Sequence, residues 1–192
     1  MRRQMNGAFA PLPGTSSEGV APNNDAVRRV IGVDPGIRDT GFAVLDYSGN
    51  RYRLASYGVI STKTGTPQGE RLNAIYNRLT DIIAEFQPRE AGMETLFFAR
   101  NVTSAFAVSE ARGVVTLCLT RNNLRVREYT PNAIKQAVSG NARADKKLVQ
   151  EYVKILLGLP EIPKPDHAAD AIAVAITYLH TMMLPAAANV AP

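Results

Sequence analysis

Asp34, Glu94, His167 and Asp170 have the residue types and settings for phosphodiester chemistry. Asp34 closes the apolar run Val30-Ile31-Gly32-Val33, where a carboxylate is costly unless a cation or a partner neutralises it. Glu94 stands in a second apolar run, Ala91 to Leu96, so a sheet that sets these strands side by side brings both carboxylates within reach of one ion. The third group is Asp166-His167-Ala168-Ala169-Asp170. On a helix His167 and Asp170 share a face, and small Ala168 and Ala169 leave room beside them. A site rich in oxygen with one nitrogen suits Mg²⁺ or Mn²⁺ rather than structural zinc. Two such ions about 4 Å apart activate a water and stabilise a leaving oxygen in an in-line displacement at phosphorus. Each residue also has a structural reading. Asp34 before Pro35-Gly36 suits a turn, Glu94 a salt bridge at a strand end, Asp166 an N-cap and His167 a surface position. It is the combination that points to a metal site.

The elements that must position these residues follow from periodicity. Val30 to Val33 reads as a strand buried on both faces and central in its sheet. Gly41 to Leu45 and Tyr52 to Ile60 follow as an antiparallel meander turning at Ser48-Gly49-Asn50. Leu72, Ile75, Tyr76, Leu79, Ile82, Ile83 and Phe86 recur at helical spacing and stop before Pro88. Ala91–Leu96 then reads as a strand, 102–120 as a helix and Leu124–Glu128 as a strand. A short helix opens at Thr130-Pro131, with Thr as cap and Pro in the first turn. After a basic loop, Ser139 to Ala144, comes a helix capped by Asp145, and the last helix spans about Asp166 to Met183. This order predicts an α/β protein with a mixed five-stranded sheet flanked by helices, the element order of the ribonuclease H-like fold.

Composition sets the boundaries. A chain of 192 residues, 45% apolar and 20% charged, supports one substantial domain and buries enough surface to fold without staples. Residues 1–28 read as a disordered tail, 29–183 as the folded body and 184–192 as a second tail. The single Cys118 forms no intramolecular disulfide and fits a cytoplasmic protein; no apolar stretch reaches the length of a membrane span. The net charge of +5 is uneven, because ten Lys and Arg between Arg100 and Lys154 face only Glu110, Glu128, Asp145 and Glu151. Such asymmetry favours a polyanionic partner, with nucleic acid foremost.

Ile31-Gly32-Val33-Asp34-Pro35-Gly36-Ile37-Arg38-Asp39-Thr40-Gly41 closely resembles the opening motif of the RuvC family of Holliday junction resolvases. Glu94-Thr95-Leu96-Phe97 resembles its second acidic motif, Ser109-Glu110-Ala111-Arg112-Gly113 its helix motif and Asp166-His167-Ala168-Ala169-Asp170-Ala171 its terminal acidic motif. The likeness runs in order and spacing across residues 29–182. It implies that Asp34, Glu94 and Asp170 bind two Mg²⁺ ions per active site, with Mn²⁺ able to substitute or preferred. The fourth ligand falls on His167, where members carry Asp or His. Phe97 matches an aromatic position that stacks on a base at the opened crossover, with a core aromatic as the alternative. Lys135 and Lys146 match basic positions near the cut, and Arg143 and Lys147 are further candidates for DNA contact. The resemblance implies a homodimer that nicks two opposed strands of a four-way DNA junction and works with RuvA and RuvB. Two rivals share parts of this pattern. An actin-like ATPase or sugar kinase needs a second lobe for which the chain has no room. A YqgF-like RNA-processing relative, or a silent binding module, fits less well with complete acidic positions and Glu94-x-x-Phe97.

Overall fold

The computed structural model describes residues 27–49, 51–95 and 102–183. Its elements are β1 (Arg28–Asp34), β2 (Asp39–Ser48), β3 (Arg51–Ser61), α1 (Gln68–Phe86), β4 (Glu90–Glu94), α2 (Val102–Arg121), β5 (Arg125–Tyr129), α3 (Pro131–Ser139), α4 (Lys146–Leu157) and α5 (Asp166–Met183). The strands form one mixed sheet in the order β3-β2-β1-β4-β5. The meander β1-β2-β3 is antiparallel, and β1, β4 and β5 are parallel. β1 is central, as its continuous β-branched run requires.

Local chemistry sets the boundaries. Thr130 caps α3 by accepting the Ala133 N–H at 3.2 Å, with Pro131 in the first turn. Asp145 caps α4 through the Leu148 N–H at 2.8 Å. Boundaries differ from the sequence reading at several elements; β2, for one, runs Asp39–Ser48 rather than Gly41 to Leu45. β1 begins at Arg28, within the stretch assigned to the tail, because Arg28 extends the ladder to Tyr47. β4 ends at Glu94, so that carboxylate lies at the strand's terminus rather than inside it. β5 starts and stops one residue later than its apolar pattern suggested. Leu96, Phe97, residues 1–26 of the expected first tail and the whole expected second tail, 184–192, lie outside the described residues.

Helices cover both faces of the sheet. Ile31, Val33, Ala91 and Met93 point into the layer of α1 and α2, where they meet Ile75, Leu79, Val115 and Leu119. Val30, one residue out of phase with them, packs in the layer of α3, α4 and α5. By this alternation Gly32, Asp34, Gly92 and Glu94 face α5. The glycines let α5 lie against the sheet backbone: a Cβ on Gly32 would stand 2.1 Å from the Ala171 carbonyl oxygen, and one on Gly41 1.9 Å from that of His167. Ala168, Ala169, Ala171 and Ala175 are buried against this surface. Ala168 and Ala169 therefore serve the close approach of helix to sheet, not open space beside the acidic residues. Among the described residues no helix is long and apolar enough to cross a membrane.

Candidate active site

The ladder between β1 and β4 pairs Gly32 with Gly92 and Val33 with Met93, and one further step sets Asp34 beside Glu94. The close seat of α5 on Gly32 and Gly41 delivers the first turn of that helix to the same place. There His167 Nδ1 lies 2.7 Å from Asp34 Oδ2. Ligand atoms of Asp34, His167 and Asp170 all fall within 4.8 Å of one another. Glu94 stands outside that trio and adjoins it through two cavities. One, of about 260 Å³, is bounded by Asp34, Glu94, Arg112 and Pro131 among others. The second, of about 200 Å³, is bounded by Glu94, Lys135, Lys146 and Asp170.

The electrostatics are those of a site short of positive charge. Burial, then the charges of Asp34 and Asp170, pushes the Glu94 carboxyl up to about 7. Burial likewise raises Asp170, against the pull of Lys146. The hydrogen bond to Asp34 holds the His167 imidazolium above its ordinary range in spite of desolvation. Lys146 Nζ reaches Asp170 Oδ2 at 2.9 Å and Asp166 Oδ2 at 3.2 Å. Desolvation disfavours the Lys146 ammonium, but these two carboxylates outweigh it and its pKa rises. Asp166, two-thirds exposed and also bonded by Gln150, turns toward α4.

The basic residues separate. Lys135 and Lys146 border the acidic group, whereas Arg143 and Lys147 are exposed and border neither cavity. In the free protein Lys146 is the site's internal cation as much as a surface contact. Arg112 carried no role in the sequence reading, yet it forms a wall of the first cavity. One signal was available: it is the single basic residue between Val102 and Thr120, within the helix motif Ser109-Glu110-Ala111-Arg112-Gly113.

Residues 30–178 match the family model of crossover junction endodeoxyribonuclease RuvC. The chain belongs to the RuvC family. It is 54% identical over 151 residues to the crossover junction endodeoxyribonuclease RuvC of Treponema denticola, covering 79% of this chain and 85% of that protein. The RuvC of Finegoldia magna is 50% identical over 151 residues, or 79% of this chain and 92% of the relative. The structure of Thermus thermophilus RuvC in complex with a Holliday junction substrate superposes with a TM-score of 0.77 at 33% identity, over 81% of this chain and 94% of that one. The fold is therefore ribonuclease H-like, as the element order implied.

Proposed function

We propose that the chain resolves Holliday junctions by metal-dependent paired nicking of two opposed strands of a four-way DNA junction, in homologous recombination and DNA repair. One observation carries this reading: in a RuvC-family sheet, donor atoms of Asp34, His167 and Asp170 meet within 4.8 Å. The donor set fits a divalent cation, since two carboxylates and an imidazole converge while Glu94 beside them forms no salt bridge among the described residues. Asp34, Glu94, His167 and Asp170 would hold the ions. Divalent ions held there would supply water activation near neutral pH and charge neutralisation at the leaving oxygen.

The chain's own groups prepare that step. Without a cation Glu94 holds its proton up to about pH 7, and a divalent ion beside it would favour the carboxylate, so metal binding and loss of that proton are coupled. The neutral imidazole of His167 suits Mn²⁺ better than an all-oxygen set would, so Mg²⁺ supports cleavage and Mn²⁺ supports it faster. Lys146 exchanges Asp170 for a phosphate of the incoming strand, with Lys135 beside it and Arg143 and Lys147 extending the basic surface. Phe97 stacks on an unpaired base at the crossover.

Paired cuts in a junction of approximate two-fold symmetry require two sites related by a two-fold axis, hence a homodimer. The outer side of α2 supports this. On this helix Phe106 and Leu117 are 70% and 53% exposed, with Gly113 and Glu110 between them, and large apolar side chains grouped on an outer face mark an interaction surface. A second copy covers that side. RuvA and RuvB supply branch migration, by family resemblance.

The test is cleavage of a synthetic four-way junction beside linear duplex and single-stranded RNA. Paired nicks confined to the junction, abolished by chelation and by Asp34→Asn with the gel shift retained, are the expected result. Nicking that survives either treatment removes the metal site, and preference for RNA moves the chain to RNA processing.

A further inference from the structure

Glu94 is the shared wall of the two cavities, and each has a cation on its far side. Lys135 and Lys146 bound one, and Arg112 bounds the other. A strand that presents its scissile phosphate to Asp34 and Glu94 carries a neighbouring phosphate on either side, so both cations lie along its path. Arg112 is unusual in its bonding. Its Nη2 donates to Glu128 Oε2 on β5, while its Nε is buried without an acceptor among the described residues. These two N–H groups form one edge of the guanidinium, a fork that fits two oxygens of a phosphate or a carboxylate. Glu128 fills one prong only. A buried donor left unmet is costly, and Glu128, with 40% of its side chain exposed, is placed to swing into water.

We propose that Arg112 is a positioning residue that binds the phosphate on the side of the cut away from Lys135 and Lys146, and that Glu128 occupies its fork until DNA arrives. The proposal rests on reading Asp34 and Glu94 as the cleavage site. A phosphate oxygen takes the Nη2 bond from Glu128, a second accepts from Nε, and the Glu128 carboxylate is released to solvent. The exchange fixes the strand on both sides of the scissile bond without Arg112 touching the reacting atoms.

The two partners should respond in opposite directions. Arg112→Gln should weaken junction binding about tenfold and raise KM with little change in kcat, whereas Glu128→Gln, which keeps an acceptor but removes the charge that competes with phosphate, should tighten binding a few-fold. Synthetic junctions carrying a single uncharged methylphosphonate at each phosphate next to the cut locate the contact. One position should cost the parent protein about tenfold in affinity and cost Arg112→Gln nothing more. Arg112→Lys keeps the charge and loses the fork, so it should fall between the two, and it replaces Arg112→Gln if that variant melts. Equal losses for Arg112→Gln and Glu128→Gln in binding and melting temperature would make the pair structural and overturn the proposal. So would methylphosphonates that cost the Arg112 variant as much as the parent at every position. Cleavage by Asp34→Asn would sink the underlying site instead, a result read independently of Arg112.

Discussion

At the end of the sheet where β1 and β4 begin, Asp46 and Glu90 are buried to 5% and 3% exposure, and each is held by two arginines. Arg29 and Arg53 both approach Asp46 at 2.6 Å, and Arg28 and Arg125 approach Glu90 at 3.1 and 2.9 Å. At the opposite end Lys146 meets Asp170 and His167 meets Asp34, and Glu94 has no ion pair among the described residues. Glu90 and Glu94 lie on the same strand and the same face of the sheet, so strand propensity does not separate them; the cations around them do. Burial raises the Asp46 pKa, but Arg29 and Arg53 more than reverse this and hold it below the usual carboxylate range. Glu94, without such partners, is pushed up to about 7. A fold that neutralises its carboxylates so fully at one end and leaves them short of charge at the other has a structural end and a waiting end.

The sharpest way to break this comparison is to make the same chemical change at both carboxylates of β4. Glu94→Gln should lower nicking at least about a hundredfold, because it removes a ligand rather than a residue that orients one. Glu90→Gln should leave nicking per folded molecule near the parent value and lower stability instead. A junction-nicking assay and a melting curve on the two variants decide it; matching phenotypes would dissolve the distinction between the ends.

Next in size is Asp46→Ala, which strands a guanidinium that is two-thirds buried. Breaking a fully buried pair costs about 3–5 kcal/mol; with a third of the Arg29 side chain exposed, about 2–3 kcal/mol is expected, a fall of roughly 5–10 °C in melting temperature for a domain of this size. Arg29 also donates to the Phe86 carbonyl at 2.8 Å, so the loss should spread to the end of α1. Hydrogen exchange in α1 would register it.

The two ends should also lose stability on opposite sides of the pH scale when divalent ions are chelated. Glu94 has its folded pKa raised from 4.5 to about 7. Its contribution is therefore complete below about pH 4.5 and lost as pH rises toward 7. His167 and Asp170, both raised, act in the same direction. Asp46, lowered from 3.8, contributes above that value and loses its contribution as pH falls below it. Melting temperatures across pH in chelator should thus decline on both flanks, and Glu94→Gln should flatten the neutral flank by a few degrees while leaving the acid flank alone. An unchanged neutral flank would mean that Glu94 is not held up by its surroundings.

The smallest effect belongs to Lys146→Ala, which should reduce the salt dependence of log K for junction binding by about one unit. An unaltered slope would leave Lys146 with its role toward Asp170 alone.

Much of this was legible in the chain. The apolar run before Asp34, the caps Thr130 and Asp145 and the i, i+3 pair His167 and Asp170 are local signals, and the structure follows them. What escaped depends on contacts between distant segments. The charge deficit at Glu94 needs the β1–β4 register across about sixty residues. The Arg28–Glu90 pair spans 62 positions, and nothing near Arg28 separates it from a tail. Arg112 acquires its place through a cavity closed by β1, β4 and α3, and Lys146 becomes an internal cation only because α4 lies beside the first turn of α5. Residue type identified the chemistry; which carboxylates are neutralised is a property of the packing.

The most direct measurement is the melting temperature of the parent protein and of Asp34→Asn at pH 8, titrated with Mn²⁺. If Asp34, Glu94, His167 and Asp170 hold the ion, the parent should gain stability that saturates with Mn²⁺ concentration, as a ligand bound only to the folded state requires. Asp34→Asn should gain far less. An equal rise in both proteins would place the ion elsewhere, and no rise in either at Mn²⁺ concentrations that support nicking would contradict a site that waits for metal.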